Sequence, residues 1–188
     1  MSETQLQGKK VAFLVAMEGV EQAELTEPWK AVQDAGAEPV LLSTQPGQVQ
    51  AFEHLDKADT FEVDVVVFHA TVGDYDALVL PGGVANPDSL RTSREAVAFV
   101  GQFAASSKPI AAICHAPWTL VEADAVRGRR LTSWPSLATD LRNAGAEWVD
   151  EQVVVDTSGP GPLITSRKPD DLEAFSKTLL EHLAGAGA

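Results

Sequence analysis

Residues 109–117 read Pro109-Ile110-Ala111-Ala112-Ile113-Cys114-His115-Ala116-Pro117. The first five carry no polar side chain, as expected of a strand buried on both faces in a parallel sheet. A short helix should follow over about Pro117 to Glu122, so Cys114 sits where a strand turns into a helix. A nucleophile elbow has this layout: a strained turn presents one side chain while the following helix lends positive potential. A thiol there is expected to ionise more easily than usual, and the thiolate is the reactive form. The competing reading is a small buried hydrophobe, and the strand–cysteine–helix context alone does not separate the two.

Outward from this segment the chain alternates strand and helix. Val11-Ala-Phe-Leu-Val-Ala16 is a second unbroken apolar run, and Ala77-Leu-Val-Leu80 a third, halted by Pro81-Gly82-Gly83. Helical spacing over about Glu21 to Ala35 places Leu25, Trp29 and Val32 on one face, with Gly36 as the stop. Further elements are a strand over Glu38 to Ser43, a helix over Arg94 to Ala105 and a helix over Pro135 to Ala144. Strands at Val153–Val155 and Leu163–Ile164 precede a closing helix over Pro169 to Leu183. The stretch from Gln48 to Val67 fits no single element, although Phe61–Val65 alternates as an exposed hairpin or edge strand would. The pattern predicts one α/β domain over residues 1–188, a mostly parallel sheet with helices on both faces. Its core spans about 9–183, between a short polar N-terminal tail and a small-residue C-terminal tail.

Composition narrows the function. The net charge of −13 opposes binding to a phosphate backbone, and Arg127, Arg129 and Arg130 are too few to form a basic stripe. No apolar stretch approaches a membrane span and no hydrophobic signal core opens the chain, so the expected compartment is the cytoplasm. A single cysteine excludes an intramolecular disulfide and any multi-cysteine metal centre. Neither a G-x-G-x-x-G nor a Walker sequence is present, so a nucleotide cofactor has no support.

In open α/β sheets ligands bind beyond the carboxyl ends of the strands, and three segments put unusual residues there. They are Glu18 to Glu24, Pro81 to Asp88, and Cys114 to Trp118. His115 offers a base beside the thiol, although neighbours at a tight turn often point apart. Glu24 and Glu21 each project along a partly apolar helical stripe, where a carboxyl keeps its proton and can relay it. The plainer role is favourable charge at a helix N-terminus. Backbone N–H groups around Gly82 and Gly83 suit an oxyanion, and Trp118 and Trp134 suit a pocket wall or the core.

Four blocks taken together resemble the DJ-1/PfpI superfamily, and more narrowly its PfpI-like branch of stress proteins. They are Asp76–Gly83, Ile113–Pro117, Arg127–Ser133 and Asn143–Val149. The resemblance implies a flavodoxin-like three-layer sandwich, a cysteine in the elbow at Cys114 and a carboxylate touching it, matched by Glu24 with Glu21 second. It implies that His115 pairs with an acid from a neighbouring subunit, matched by Asp88 in the Val84–Asp88 loop, though here as an aspartate in a differently spaced loop. Ala116 stands where the family commonly has glycine. Three activities follow as expectations, none needing a cofactor. The favoured one is glyoxalase- or deglycase-type chemistry on small carbonyls or glycated substrates, with a hemithioacetal at Cys114 and proton transfer by Glu24. The second is a cysteine peptidase using Cys114, His115 and Asp88, and the third a redox sensor or holdase acting through oxidation of Cys114. A homodimer or higher homo-oligomer is expected from the same resemblance.

Overall fold

The structure, a computed structural model, describes residues 6–185. In chain order the first half comprises β1 (Lys10–Leu14), β2 (Glu18–Glu21), α1 (Gln22–Asp34), β3 (Glu38–Ser43), β4 (Gln48–Glu53), β5 (Asp56–Glu62), β6 (Val65–Val66) and β7 (Ala77–Leu80). There follow α2 (Ala85–Leu90), α3 (Arg94–Ala104), β8 (Ile110–Ile113), α4 (Pro117–Glu122), β9 (Arg130–Leu131) and α5 (Ala138–Asn143). The chain continues through β10 (Glu147–Trp148), β11 (Val153–Asp156), β12 (Leu163–Ser166) and α6 (Leu172–Gly185).

Seven strands form the central sheet in the order β11-β12-β8-β7-β1-β3-β6, parallel except for the β11–β12 pair. The three unbroken apolar runs are the middle of this sheet, as strands covered on both faces must be. Alternate residues of β1 face opposite layers. Val11, Phe13 and Val15 pack with Leu25, Val32, Phe175 and Leu179 of α1 and α6. Ala12, Leu14 and Ala16 pack with Phe99, Phe103, Leu120 and Leu141 of α3, α4 and α5. The result is a flavodoxin-like three-layer sandwich.

Some expected boundaries move. Glu21, expected to open the first helix, instead closes a short strand, Glu18–Glu21, that pairs in parallel with β4 of the β4–β5 hairpin. The hairpin draws on the segment whose sequence fitted no element, because β5 is exposed on both faces and lacks an apolar stripe. Val84–Asp88 is not a loop: residues 85–90 wind into α2, with Asn86, Pro87 and Leu90 buried. The expected C-terminal tail is helical as far as Gly185, and Leu6 is buried within the expected N-terminal tail. The remainder of both tails, residues 1–5 and 186–188, lies outside the described residues.

Candidate active site

The register of the parallel strands brings the ends of β1, β7 and β8 to one edge of the sheet, and the site is built there. Cys114 follows β8 with φ +63°, a left-handed conformation that costs a non-glycine residue roughly 1–2 kcal/mol. Two hydrogen bonds hold it. Its N–H donates to Ser166 O at the end of β12 (3.1 Å), and its carbonyl accepts from Trp134 N (2.8 Å). The thiol is almost buried, with Sγ 3.1 Å from Nδ1 of His115. The two neighbours therefore meet instead of pointing apart. The imidazole is clamped, stacked on Trp134 (centroids 5.9 Å, interplanar 21°) and edge-on to Trp118 (5.4 Å). Burial lowers its pKa, so at neutral pH the ring is uncharged.

Glu24, in the first turn of α1, is fully buried. Its Oε2 accepts from Gly82 N–H at 2.9 Å, and the nearby Gly83 N–H also favours the charged carboxyl. Its Oε1 has no partner of ordinary hydrogen-bond geometry, although the carboxyl and the thiol are close enough to alter each other's proton affinity. Burial, helped by the charge of Glu21, pushes the Glu24 carboxyl up to about 8. With Oε2 committed as acceptor, Oε1 is the oxygen left to carry the proton.

The Cys114 thiol departs from the expected direction. Burial raises its pKa, and a negative Glu24 adds to the rise, while N–H groups of Gly83 and His115 pull the other way. The six-residue α4 is a weak counterweight to that desolvation. Two facing acids in one buried site do not both ionise, so whichever loses its proton first makes the other hold on. The nucleophilic state is the one in which Glu24 keeps its proton and Cys114 has lost its own.

Gly82 lies between the two acids. A Cβ there would come within 2.6 Å of Cys114 Cβ and collide with Glu24 Oε2, so only glycine fits. Gly83, at φ +82°, lets the chain turn so that its N–H also faces the site. Asn86, fully buried in α2, fixes this loop. Its Nδ2 donates to Pro81 O (2.9 Å) and Gly82 O (3.0 Å), and its Oδ1 accepts from Ala16 N–H (2.7 Å).

Cys114 and His115 open onto a cleft of about 880 Å³. Of the sequence candidates, Glu21, Glu24, Gly83, Asp88 and Trp134 also line it. Gly82 sits beneath, as the donor to Glu24. Ala116, expected in the pocket, is instead buried in the core, its N–H bonded to Ile113 O at 3.0 Å. Asp88 makes no hydrogen bond or ion pair with His115 within the chain, among the described residues. Glu21 accepts from His54 N–H at 3.1 Å, tying the hairpin tip to the rim. Sequence reasoning missed Asn86, Phe52, His54 and Leu55. An Asn-Pro pair reads as a turn, and the buried apolar alternation of the hairpin is confined to Val49 and Ala51 of β4, away from the residues that line the cleft. Among the described residues no cluster of three or more His, Cys, Asp or Glu side chains is arranged to hold a metal ion. No described helix is long and apolar enough to cross a membrane.

A family model for the DJ-1/PfpI family matches residues 9–182. The chain belongs to the DJ-1/PfpI family. Among its relatives, Protein/nucleic acid deglycase 2 of Escherichia coli (strain K12) is 40% identical over 175 residues, 93% of this chain and 98% of that one. A protein of Bacillus subtilis (strain 168), YraA, whose name carries a proposed cysteine protease activity, is 37% identical over 93% of this chain and 98% of its own. The DJ-1/PfpI fold also appears in a solved two-domain protein of Anabaena variabilis with DJ-1/ThiJ/PfpI-like and ferritin-like domains. That likeness has a TM-score of 0.86 and 35% identity, covering 93% of this chain and 48% of the longer one.

Proposed function

We propose that this protein is a cofactor-independent cysteine enzyme acting on reactive carbonyl compounds, free or as glycation adducts. The observation that carries the reading is Glu24, a buried carboxyl that keeps its proton to about pH 8 beside the one thiol of the chain. A thiolate adding to an aldehyde needs a proton delivered to the new alkoxide oxygen, and a neutral carboxyl beside it is the suitable donor. With methylglyoxal, Cys114 Sγ bonds to the aldehyde carbon and Glu24 protonates the oxygen, giving a hemithioacetal. The Glu24 carboxylate then removes the proton from that carbon while the former ketone oxygen takes one up, giving an enediol. Protonation of the adjacent carbon, with loss of the hydroxyl proton from the sulfur-bearing carbon, leaves a thioester of lactate. Water hydrolyses the thioester, releases lactate and returns the thiol. The deglycase name of one relative supports this class of substrate.

A second reading is an intracellular cysteine peptidase, favoured by the 3.1 Å contact between Cys114 Sγ and His115 Nδ1. It requires an acid to orient His115, which Asp88 of a second copy would supply in a homodimer or larger assembly. The exposed Leu55 and Phe68, 93% and 72% accessible, are consistent with such an assembly. Methylglyoxal turnover with lactate as the product separates the readings. Lactate formation lost in Cys114→Ser and Glu24→Gln, and only weakened in His115→Ala, is the expected result. Peptide cleavage abolished by His115→Ala, without lactate formation, would establish the second reading in its place. Rapid peroxide oxidation of Cys114 with neither turnover would leave a redox sensor.

A further inference from the structure

The cleft is charged on one side only. Four carboxyl side chains line it, from Glu18, Glu21, Glu24 and Asp88, and no lysine or arginine does. Glu24 holds its proton and Glu21 is engaged by the hairpin tip, which leaves Glu18 and Asp88 exposed and without an ion-pair partner among the described residues. They come from different elements, β2 and α2. The cations flanking the lining are already paired: Arg91 against Glu122 (3.3 Å), Arg167 against Asp150 (2.8 Å) and Asp171 (3.0 Å), and Lys168 against Asp170 (3.1 Å). The walls beside Cys114 include the indoles of Trp118 and Trp134; Trp134 is stacked on His115, and the Glu122-paired guanidinium of Arg91 lies 5.7 Å over the ring of Trp118.

From this we infer, resting on the carbonyl reading above, that the cleft selects its substrate by charge, with Glu18 and Asp88 as the specificity-determining residues. Electrophiles that are neutral, or that carry an amine or guanidine beside the carbonyl, reach Cys114. Those bearing a carboxylate, sulfonate or phosphate are turned away. The chain's net charge of −13 adds a long-range bias of the same sign.

The sole cysteine allows a test that needs no turnover. Methanethiosulfonates of three charges, methyl, trimethylammonioethyl and sulfonatoethyl, react by one step. The Cys114 thiolate attacks the sulfenyl sulfur, an S–S bond forms and methanesulfinate leaves. Rates are followed by mass on the intact protein, and the cation-to-anion ratio is divided by that of the uncharged thiol N-acetylcysteine amide. Using the methyl reagent as reference removes changes in the thiol's own reactivity. The ratio should exceed the free-thiol value by roughly tenfold at low ionic strength, the order expected of a few unit charges across a water-filled cleft, and shrink with added salt. The double variant Glu18→Gln, Asp88→Asn should bring it most of the way back. A wild-type ratio equal to that of N-acetylcysteine amide overturns the inference even if methylglyoxal is turned over. A high ratio unchanged in the double variant overturns the assignment to these two residues. A protein inactive on methylglyoxal that keeps the selectivity would sink the carbonyl reading and leave charge selection standing.

Discussion

Replacing Glu24 by glutamine keeps the shape of a fully buried side chain and removes its titratable proton. In the wild-type fold that proton is held to about pH 8, whereas the unfolded chain releases it near the ordinary carboxyl value of 4.5. Between those two values the folded state binds more protons than the unfolded state, so stability must fall as pH rises. At 1.36 kcal/mol per unit, the shift is worth roughly 5 kcal/mol once the pH has passed the folded value. Glu24→Gln has no such slope. Its amide oxygen can still accept from Gly82 N–H, so below the unfolded pKa the two proteins should agree within about 1 kcal/mol. Above about pH 8 the variant should be the more stable by several kcal/mol.

Guanidinium unfolding of both proteins at matched pH values, with the thiol kept reduced, measures the difference directly. The other carboxylates titrate in both proteins and cancel in the comparison where they do not touch Glu24. Parallel stability curves across this range would refute the reasoning, because they would mean that Glu24 ionises as an ordinary carboxyl. The same variant should lose lactate formation. A substitution that strengthens the fold while removing activity is the signature of a buried acid kept for chemistry.

Gly82→Ala should destabilise the fold by about 1–3 kcal/mol and suppress turnover, because the new methyl must push the carboxyl and the thiol apart; denaturation and lactate assays read the two effects. Asn86→Ala strips partners from Ala16 N–H and from the Pro81 and Gly82 carbonyls, so a loss of about 2–4 kcal/mol and slower Cys114 labelling are expected. In the buried ion pair of Arg129 with Asp156, Arg129→Ala leaves the carboxylate uncompensated and should cost about 3–5 kcal/mol. Asp156 is held below the usual carboxylate range, chiefly by hydrogen bonds that overcome its burial, so the wild-type pair supports the fold above about pH 4 and the support fades as pH falls through the depressed value.

The sheet was legible because its middle strands, β1, β7 and β8, are buried on both faces and must be apolar throughout. Cys114 was legible for the same reason: an apolar run that ends in one polar group and then a helix leaves that group little choice of place. Glu24 could be narrowed only to a pair with Glu21, since helical spacing gives the face of a residue but not its depth. The two differ in the fold by a single boundary. Glu21 closes β2 and stays at the rim, whereas Glu24 lies inside α1 and is sealed by Gly82. The hairpin that walls the cleft was legible only at its end: the alternation over Phe61–Val65 overlaps β5 at Phe61 and Glu62, while the rest of β5 has no apolar stripe to mark it. The direction of the thiol's pKa was misjudged because a strand–cysteine–helix pattern shows the helix and hides the desolvation. Burial is a property of the assembled layers.

That last point shapes the chemistry. At neutral pH His115 is uncharged and Glu24 protonated, so neither of the two side chains set against the thiol carries a formal charge. A thiol in such surroundings is not a standing nucleophile; on the carbonyl reading proposed above it becomes one when its proton moves to His115 Nδ1, 3.1 Å away, with the Gly83 and His115 N–H groups favouring the sulfur's charge. The charge then lasts only until Sγ attacks, when it passes to the substrate oxygen and is quenched by the Glu24 proton. In the addition step each neighbour then has one assignment, His115 to take a proton and Glu24 to give the one that it recovers when it later deprotonates the hemithioacetal carbon. Removing His115 should therefore slow attack and shift its pH dependence upward, while removing the Glu24 proton should leave a thiol that can still be alkylated but cannot turn a carbonyl over. Alkylation by iodoacetamide against lactate formation, measured in Glu24→Gln, distinguishes the two roles. Equal losses in both would mean that Glu24 acts on the thiol itself and not on the substrate.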